Sequence, residues 1–156
     1  MDLDAPYRSI AAAIDGGPAD DRIAEVARRL AALGTGASLS LVHVASVPPP
    51  MGADPIYSGW LGVGATVDPS PFMDAGQILL DRVARTGEER VLLGGYPAES
   101  VCEFAEDEGI DLLVVGAHRG RGRLALGSFA SYVGHHAPCP VLIVRPASAR
   151  HEPARS

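Results

Sequence analysis

Lysine is missing from this chain of 156 residues, and all 13 of its basic side chains are arginines. The phosphate-binding pattern G-x-x-x-x-G-K-[ST] is therefore excluded, because it relies on a lysine amine at the phosphates. Aromatic residues are scarce at 5%, and the apolar content is mainly Ala, Val and Leu. That composition suits helices packed closely on a sheet and disfavours a platform that stacks nucleic-acid bases. Positive charge is in deficit, with a net charge of −6, so nucleic acid and anionic lipid are repelled at long range and any anion must be held by a local feature. The two cysteines, Cys102 and Cys139, are far apart and show no CxxC or ligand spacing. A disulfide framework or zinc site has little support, and reduced, buried thiols are expected. No run approaches about 18 apolar residues, and Met1 to Pro6 carries two aspartates in place of a signal peptide's apolar stretch, so the expectation is a cytoplasmic protein with no membrane partner.

What is present is enough apolar material for one core. Hydrophobic residues make up 47% of the chain, and its length suits one domain, so burial can offset chain entropy. Ser9 to Asp15 (SIAAAID) is a continuous apolar run closed by an acid and two glycines, which predicts a strand buried on both faces. Ile23, Val26, Ala27, Leu30 and Ala31 recur at helical spacing until Gly34, and Ala37 to Val44 predicts a second strand. From Pro48 to Phe72 there are six prolines and four glycines. This Pro/Gly-rich 48–72 segment is too long for a routine connection and reads as a lid, an interface or a disordered loop.

The alternation then resumes. Met73 to Arg85 predicts a helix with Ile78, Leu79, Val83 and Ala84 on its apolar face, and Arg90 to Leu93 a short strand. Pro97 opens a helix that carries Val101, Phe104 and Ala105 and ends at Gly109; Ile110 to Gly116 (IDLLVVG) is the clearest strand. Ser128 to His136 is compatible with a helix, and Pro140 to Arg145 (PVLIVR) predicts a fifth strand. Five strands alternating with four helices imply right-handed crossovers and a parallel sheet covered on both faces, a single doubly wound α/β domain. The domain is expected to span 1–146, with a polar tail over 147–156.

In such a sheet a ligand binds beyond the carboxyl ends of the strands, where the winding reverses. Two loops there are chemically marked: Asp15-Gly16-Gly17 and Gly116 to Ser128 (GAHRGRGRLALGS). In the second loop Gly116, Gly120, Gly122 and Gly127 let backbone amides approach an anion. Gly127-Ser128 opens a helix whose free amides and dipole favour phosphate, and His118, Arg119, Arg121 and Arg123 add cationic donors. The same features also describe a solvated basic loop whose glycines only turn the chain. Asp15 suits a ribose hydroxyl by analogy with dinucleotide folds, and equally suits a tight turn. Adjacent His135 and His136 point to different helix faces, so with Cys139 they make a poor metal site, and no metal ligand set is assigned. His43 reads as a core or edge histidine. With no G-x-S-x-G elbow and no lysine, no catalytic residue is assigned.

The stretches AAAIDGG, LVHV, DLLVVGAHRGRG, LGS and HHAPCPVLIVRP together resemble the universal stress protein family over almost the whole chain. The resemblance implies a five-stranded parallel sheet in the order 3-2-1-4-5, with the switch point between strands one and four. Some members bind ATP, with a pattern of Gly, two residues, Gly, nine residues, Gly, then Ser or Thr. Here Gly116 is followed by three residues, Gly120, six residues and Gly127-Ser128, so ten residues separate the outer glycines where the pattern has twelve, and Arg119 replaces the second glycine.

By position, the resemblance makes Asp15 a ribose contact, beside Ala13, and Val44 an adenine-side contact. It makes Val115, Gly116, His118, Arg119 and, more weakly, Gly120 phosphate-loop residues. Gly127, Ser128, Phe129 and Ala130 form the far edge of the phosphate site. ATP with Mg2+ is the implied cofactor, and a homodimer through the last strand, Val141 to Val144, the implied assembly. The expected function is a nucleotide-binding stress-response or signalling protein. The alternative is a dimeric interaction module that binds no nucleotide because its glycine loop is shortened, with slow ATP hydrolysis the most that an enzymatic reading allows.

Overall fold

The computed structural model describes residues 6–47, 67–117 and 126–146. Its elements are β1 (Ser9–Ala13), α1 (Asp20–Ala31), β2 (Ser38–Ala45), α2 (Ser70–Val83), β3 (Glu89–Gly94), α3 (Pro97–Asp107), β4 (Leu112–Gly116), α4 (Ser128–His136) and β5 (Val141–Val144). All five strands are parallel, in the order β3-β2-β1-β4-β5, as the resemblance implies.

Successive side chains on a strand point to opposite faces, so a strand covered on both sides sends alternate residues into two cores. Ile10, Ala12, Leu39, Leu41, Leu112 and Val114 meet α1 and α2 on one face. Ala11, Val42, Val44, Leu113 and Val115 meet α3 and α4 on the other. This is why the strands read in the sequence as continuous apolar runs. The alanines of β1 let α1 lie close to the sheet, with Ala24 and Ala27 fully buried.

Several boundaries depart from the sequence expectation, among them the start of β4 at Leu112 in place of Ile110. α2 begins at Ser70, inside the segment assigned to the Pro/Gly-rich loop. Pro71 lies in its first turn, where a missing N–H costs nothing, and the Asp68 carboxylate accepts the Ser70 N–H at 2.9 Å. The apolar face of α2 is as expected at Leu79, Val83 and Ala84, which join one core, but Leu80 is buried there and Ile78 is 70% exposed. β1 ends at Ala13, two residues early: the Ile14 N–H still donates to the Val42 carbonyl of β2 at 2.9 Å, but the Ile14–Asp15 peptide unit bonds to side chains.

At the amino ends of the strands, opposite the loops of interest, Arg28 ties three elements together. Its Nη2 donates to Glu88 Oε2 at 2.8 Å and to the Val83 carbonyl at 2.8 Å, and its Nε donates to Glu88 Oε1. Both side chains of the pair are mostly buried. The guanidinium holds the Glu88 carboxyl below its ordinary value of 4.5, and the carboxylate in turn raises Arg28. A carboxyl depressed in the folded state stabilises above its unfolded pKa and loses that contribution as pH falls through the folded one. Glu88→Gln is therefore expected to cost about 2–3 kcal/mol at pH 7, just below the range for a fully buried pair. Urea denaturation at several pH values checks this: the gap from wild type should close as pH falls below 4.5, and a pH-independent gap would rule out the ion pair as its cause.

Candidate functional site

β2 lies to one side of β1 and β4 to the other, so the loops that follow β1 and β4 diverge and leave a crevice beyond their carboxyl ends. The crevice encloses about 990 Å³, a volume that suits a small-molecule ligand. Asp15, Gly16 and Gly17 form one wall and Gly116, Ala117 and Phe129 the other, with His43 and Val44 at the end of β2. Residues of α2 complete it, among them Phe72, Gly76, Leu79 and Arg82. Among the described lining residues the formal charges belong to Asp15 and Arg82.

The β1–α1 loop is held by its own carboxylates. Asp15 Oδ1 accepts the Gly17 N–H at 2.8 Å, an aspartate turn of the kind the Asp-Gly-Gly sequence suggests. A Cβ at Gly17 would fall 2.7 Å from that oxygen, so a larger residue would push the Asp15 carboxylate out of this position. Asp20, 2% exposed at the first turn of α1, accepts the Asp15 N–H at 3.1 Å and the Gly16 N–H at 2.8 Å. Burial pushes its carboxyl above the ordinary carboxylate range, and the nearby Asp15 charge adds to this, against the two N–H bonds that favour the ionised form. With these amides taken up by an internal anion, a ligand's phosphate has to find its donors elsewhere.

The β4–α4 side offers them. Gly116 packs against α1, where a Cβ would lie 2.8 Å from Ile23 Cδ1. Gly127 precedes α4 with φ +82° and ψ 161°, backbone open essentially to glycine alone. Among the described residues no side chain caps α4, so the first-turn amides keep their capacity to bind an anion.

Of the residues expected at the site, Ala13, Asp15, Val44, Gly116 and Phe129 line this one crevice. Val115 on β4 and Ala130 on α4 are buried in the core between the sheet and the α3–α4 layer, and Gly127 and Ser128 stand at the start of α4. His118, Arg119 and Gly120 lie outside the described residues, as do Arg121 and Arg123. The sequence reading missed the α2 wall and His43. A glycine inside an otherwise apolar helix was the available signal: a Cβ at Gly76 would lie 2.6 Å from Leu92 Cδ1 and 2.9 Å from His43 Cδ2.

His135, His136 and the two thiols sit apart from this geometry. His135 and His136 turn Nδ1 to the Ser131 and Tyr132 carbonyls at 2.7 and 2.9 Å, and the His136 ring stacks on Tyr132. Cys102 is buried and Cys139 half-buried, and burial raises both thiols above their ordinary range. Among the described residues no helix is long and apolar enough to cross a membrane.

The profile of the universal stress protein family matches residues 6–145. A universal stress protein of Thermus aquaticus is 34% identical over 145 residues, 89% of this chain and 99% of its own length. Among solved structures, universal stress protein UspA from Lactobacillus plantarum is 28% identical with a TM-score of 0.63, covering 89% of this chain and 98% of its own. A universal stress protein in complex with cAMP is 25% identical with a TM-score of 0.57, covering 88% and 96%.

The two residues that open α4 should behave differently when replaced. Gly127→Ala forces a side chain into a glycine-only conformation and is expected to cost about 1–3 kcal/mol. Exposed Ser128, replaced by Ala, should stay within about 0.5 kcal/mol of wild type. Equal midpoints for the two variants in urea would show that the Gly127 geometry is not required.

Proposed function

The chain belongs to the universal stress protein family, and from that premise we propose that it is a stress-response protein that binds an adenine nucleotide, ATP with Mg2+, between β1 and β4. The observation that carries the reading is the chemical asymmetry of the crevice. One wall presents the Asp15 carboxylate while its amides are already bonded to Asp20. The other leads to a helix start with no side-chain cap among the described residues, preceded by Gly127 in a glycine-only conformation. A sugar with hydroxyl donors suits the first wall and a phosphate suits the second, and Val44, buried at the end of β2, gives the base an apolar surface. In this reading Gly116, His118, Arg119 and Gly120 serve the phosphates, with Ser128 and Phe129 at their far edge. The cAMP complex of a relative supports the nucleotide class.

A homodimer through β5 accompanies the proposal. This strand ends the sheet, and Leu142 on it is 38% exposed, an edge that pairing would cover. The second reading is a dimeric interaction module without nucleotide, favoured by the ten residues between Gly116 and Gly127 where the ATP-binding pattern has twelve.

Calorimetric titration of nucleotide-free protein with ATP and Mg2+ tests the first reading. Saturable binding is expected, weakened about tenfold or more by Asp15→Ala and by Ser128→Ala, as for a hydrogen bond with a charged partner. Folded protein that takes up no nucleotide would leave the interaction module as the account. Light scattering tests the assembly separately: wild type should have the mass of a dimer and Leu142→Arg that of a monomer, whereas a wild-type monomer at micromolar concentration would remove the dimer.

A further inference from the structure

The Ile14–Asp15 peptide leaves the sheet just before the side chain of Asp15, a residue that lines the crevice, and both of its polar ends are held by side chains. On one side His43 Nδ1 lies 2.9 Å from the Ile14 carbonyl oxygen. A carbonyl only accepts, so Nδ1 carries the hydrogen and donates. On the other side the Asp15 N–H donates to Asp20 Oδ1 at 3.1 Å. The partners come from different elements, His43 from β2 and Asp20 from the first turn of α1. Each is itself constrained. The α2 backbone at Gly76 lies so close to the His43 ring that a Cβ would sit 2.9 Å from Cδ2, and Asp20 is 2% exposed, away from competing water.

We infer that His43 and Asp20 are positioning residues that clamp the Ile14–Asp15 peptide from its two sides and so aim the Asp15 carboxylate into the crevice. A peptide unit is planar, so holding its C=O and its N–H fixes the orientation of the whole unit. The aspartate turn to the Gly17 N–H restrains the loop after Asp15, and the clamp restrains the peptide before it, so that the freedom of Gly16, at φ +88°, and Gly17 is limited from both sides. The bond from the Gly16 N–H to Asp20 Oδ2, at 2.8 Å, extends the clamp one residue further. Gly76 then has a purpose in the middle of α2: it lets the helix press on the ring that holds the carbonyl.

The inference rests on the nucleotide reading only for what Asp15 touches, and the test separates the two. Affinities for ATP and for 2′,3′-dideoxy-ATP are measured on the full nucleotide-free chain, and amide hydrogen exchange at Asp15 and Gly16 is followed without nucleotide. Wild type should prefer ATP by about tenfold, the size of one or two hydroxyl contacts to a carboxylate. Asp15→Ala and His43→Leu should each reduce that preference below about twofold, and combining them should reduce it no further. His43→Asn, whose Nδ2 stands where Nδ1 stood, should keep it, a rescue that loss of packing alone would not produce. The Asp15 amide should exchange about tenfold faster in His43→Leu than in wild type.

An unchanged nucleotide preference in His43→Leu overturns the inference. If that variant does not fold, Asp20→Asn, which keeps one acceptor of two, decides through the same ratio: a drop supports the clamp, and no change overturns it. If wild type binds neither nucleotide, the nucleotide reading fails, and exchange in the free protein still decides. Faster exchange at Asp15 in the variant keeps the clamp, and equal exchange removes it.

Discussion

The strand order turns at β1, and the crevice exists because of that turn. Chain segments that follow β1 and β4 leave the sheet toward opposite faces, since α1 packs with α2 on one side and α4 with α3 on the other. Among the described residues no connection passes directly over the gap between them, as expected where the winding of such a sheet reverses. For this to work β1 must be narrow and wholly buried, flanked by β2 and β4 and covered by a helix layer on each face. Its three central residues, Ile10, Ala11 and Ala12, are fully buried, and the alanines keep both layers close. The Arg28–Glu88 pair acts at the opposite end of the sheet, joining α1, the end of α2 and the approach to β3. It braces the amino ends while the carboxyl ends remain open.

Among the described residues, charge is divided across the crevice by backbone chemistry more than by basic side chains. A loop after a strand that leads into a helix is ordinarily a good anion site. Here the β1–α1 loop has its own anion in Asp20, whose burial raises the carboxyl's pKa while two N–H bonds favour its charge. That arrangement rigidifies the wall and removes it from competition for phosphate. The β4–α4 side, with glycines at both of its described ends, keeps its helix amides available. One wall is thus suited to accept hydrogen bonds and the other to donate them, which gives a ligand with a polar sugar and an anionic tail only one favourable direction.

Glycines contribute here for reasons that differ from one position to the next. Gly127 supplies a conformation that other residues avoid. Gly17 leaves room for the Asp15 oxygen, and Gly76 lets a helix backbone approach an imidazole. In the sequence all three look alike, as punctuation; only the partner that each one meets distinguishes them.

The alternation of apolar runs with helical spacing, closed by Gly and Pro, by itself determined the five strands and four helices of the described residues and the doubly wound sheet. These depend on local periodicity and on burial of two faces, both written along the chain. The same was true of Asp15, Gly116 and the Gly127-Ser128 helix start as marked positions. Tertiary structure decided the rest: the start of α2 at Ser70, the burial of Leu80 and exposure of Ile78, the α2 wall of the crevice, and the bonds of Asp20 and His43 to the Ile14–Asp15 peptide. Each of these depends on which side chain from a distant element reaches a given backbone group. His43 lies 29 residues from the carbonyl it holds, and no local pattern records such a contact, because it is made only when β1, β2 and α2 have packed together.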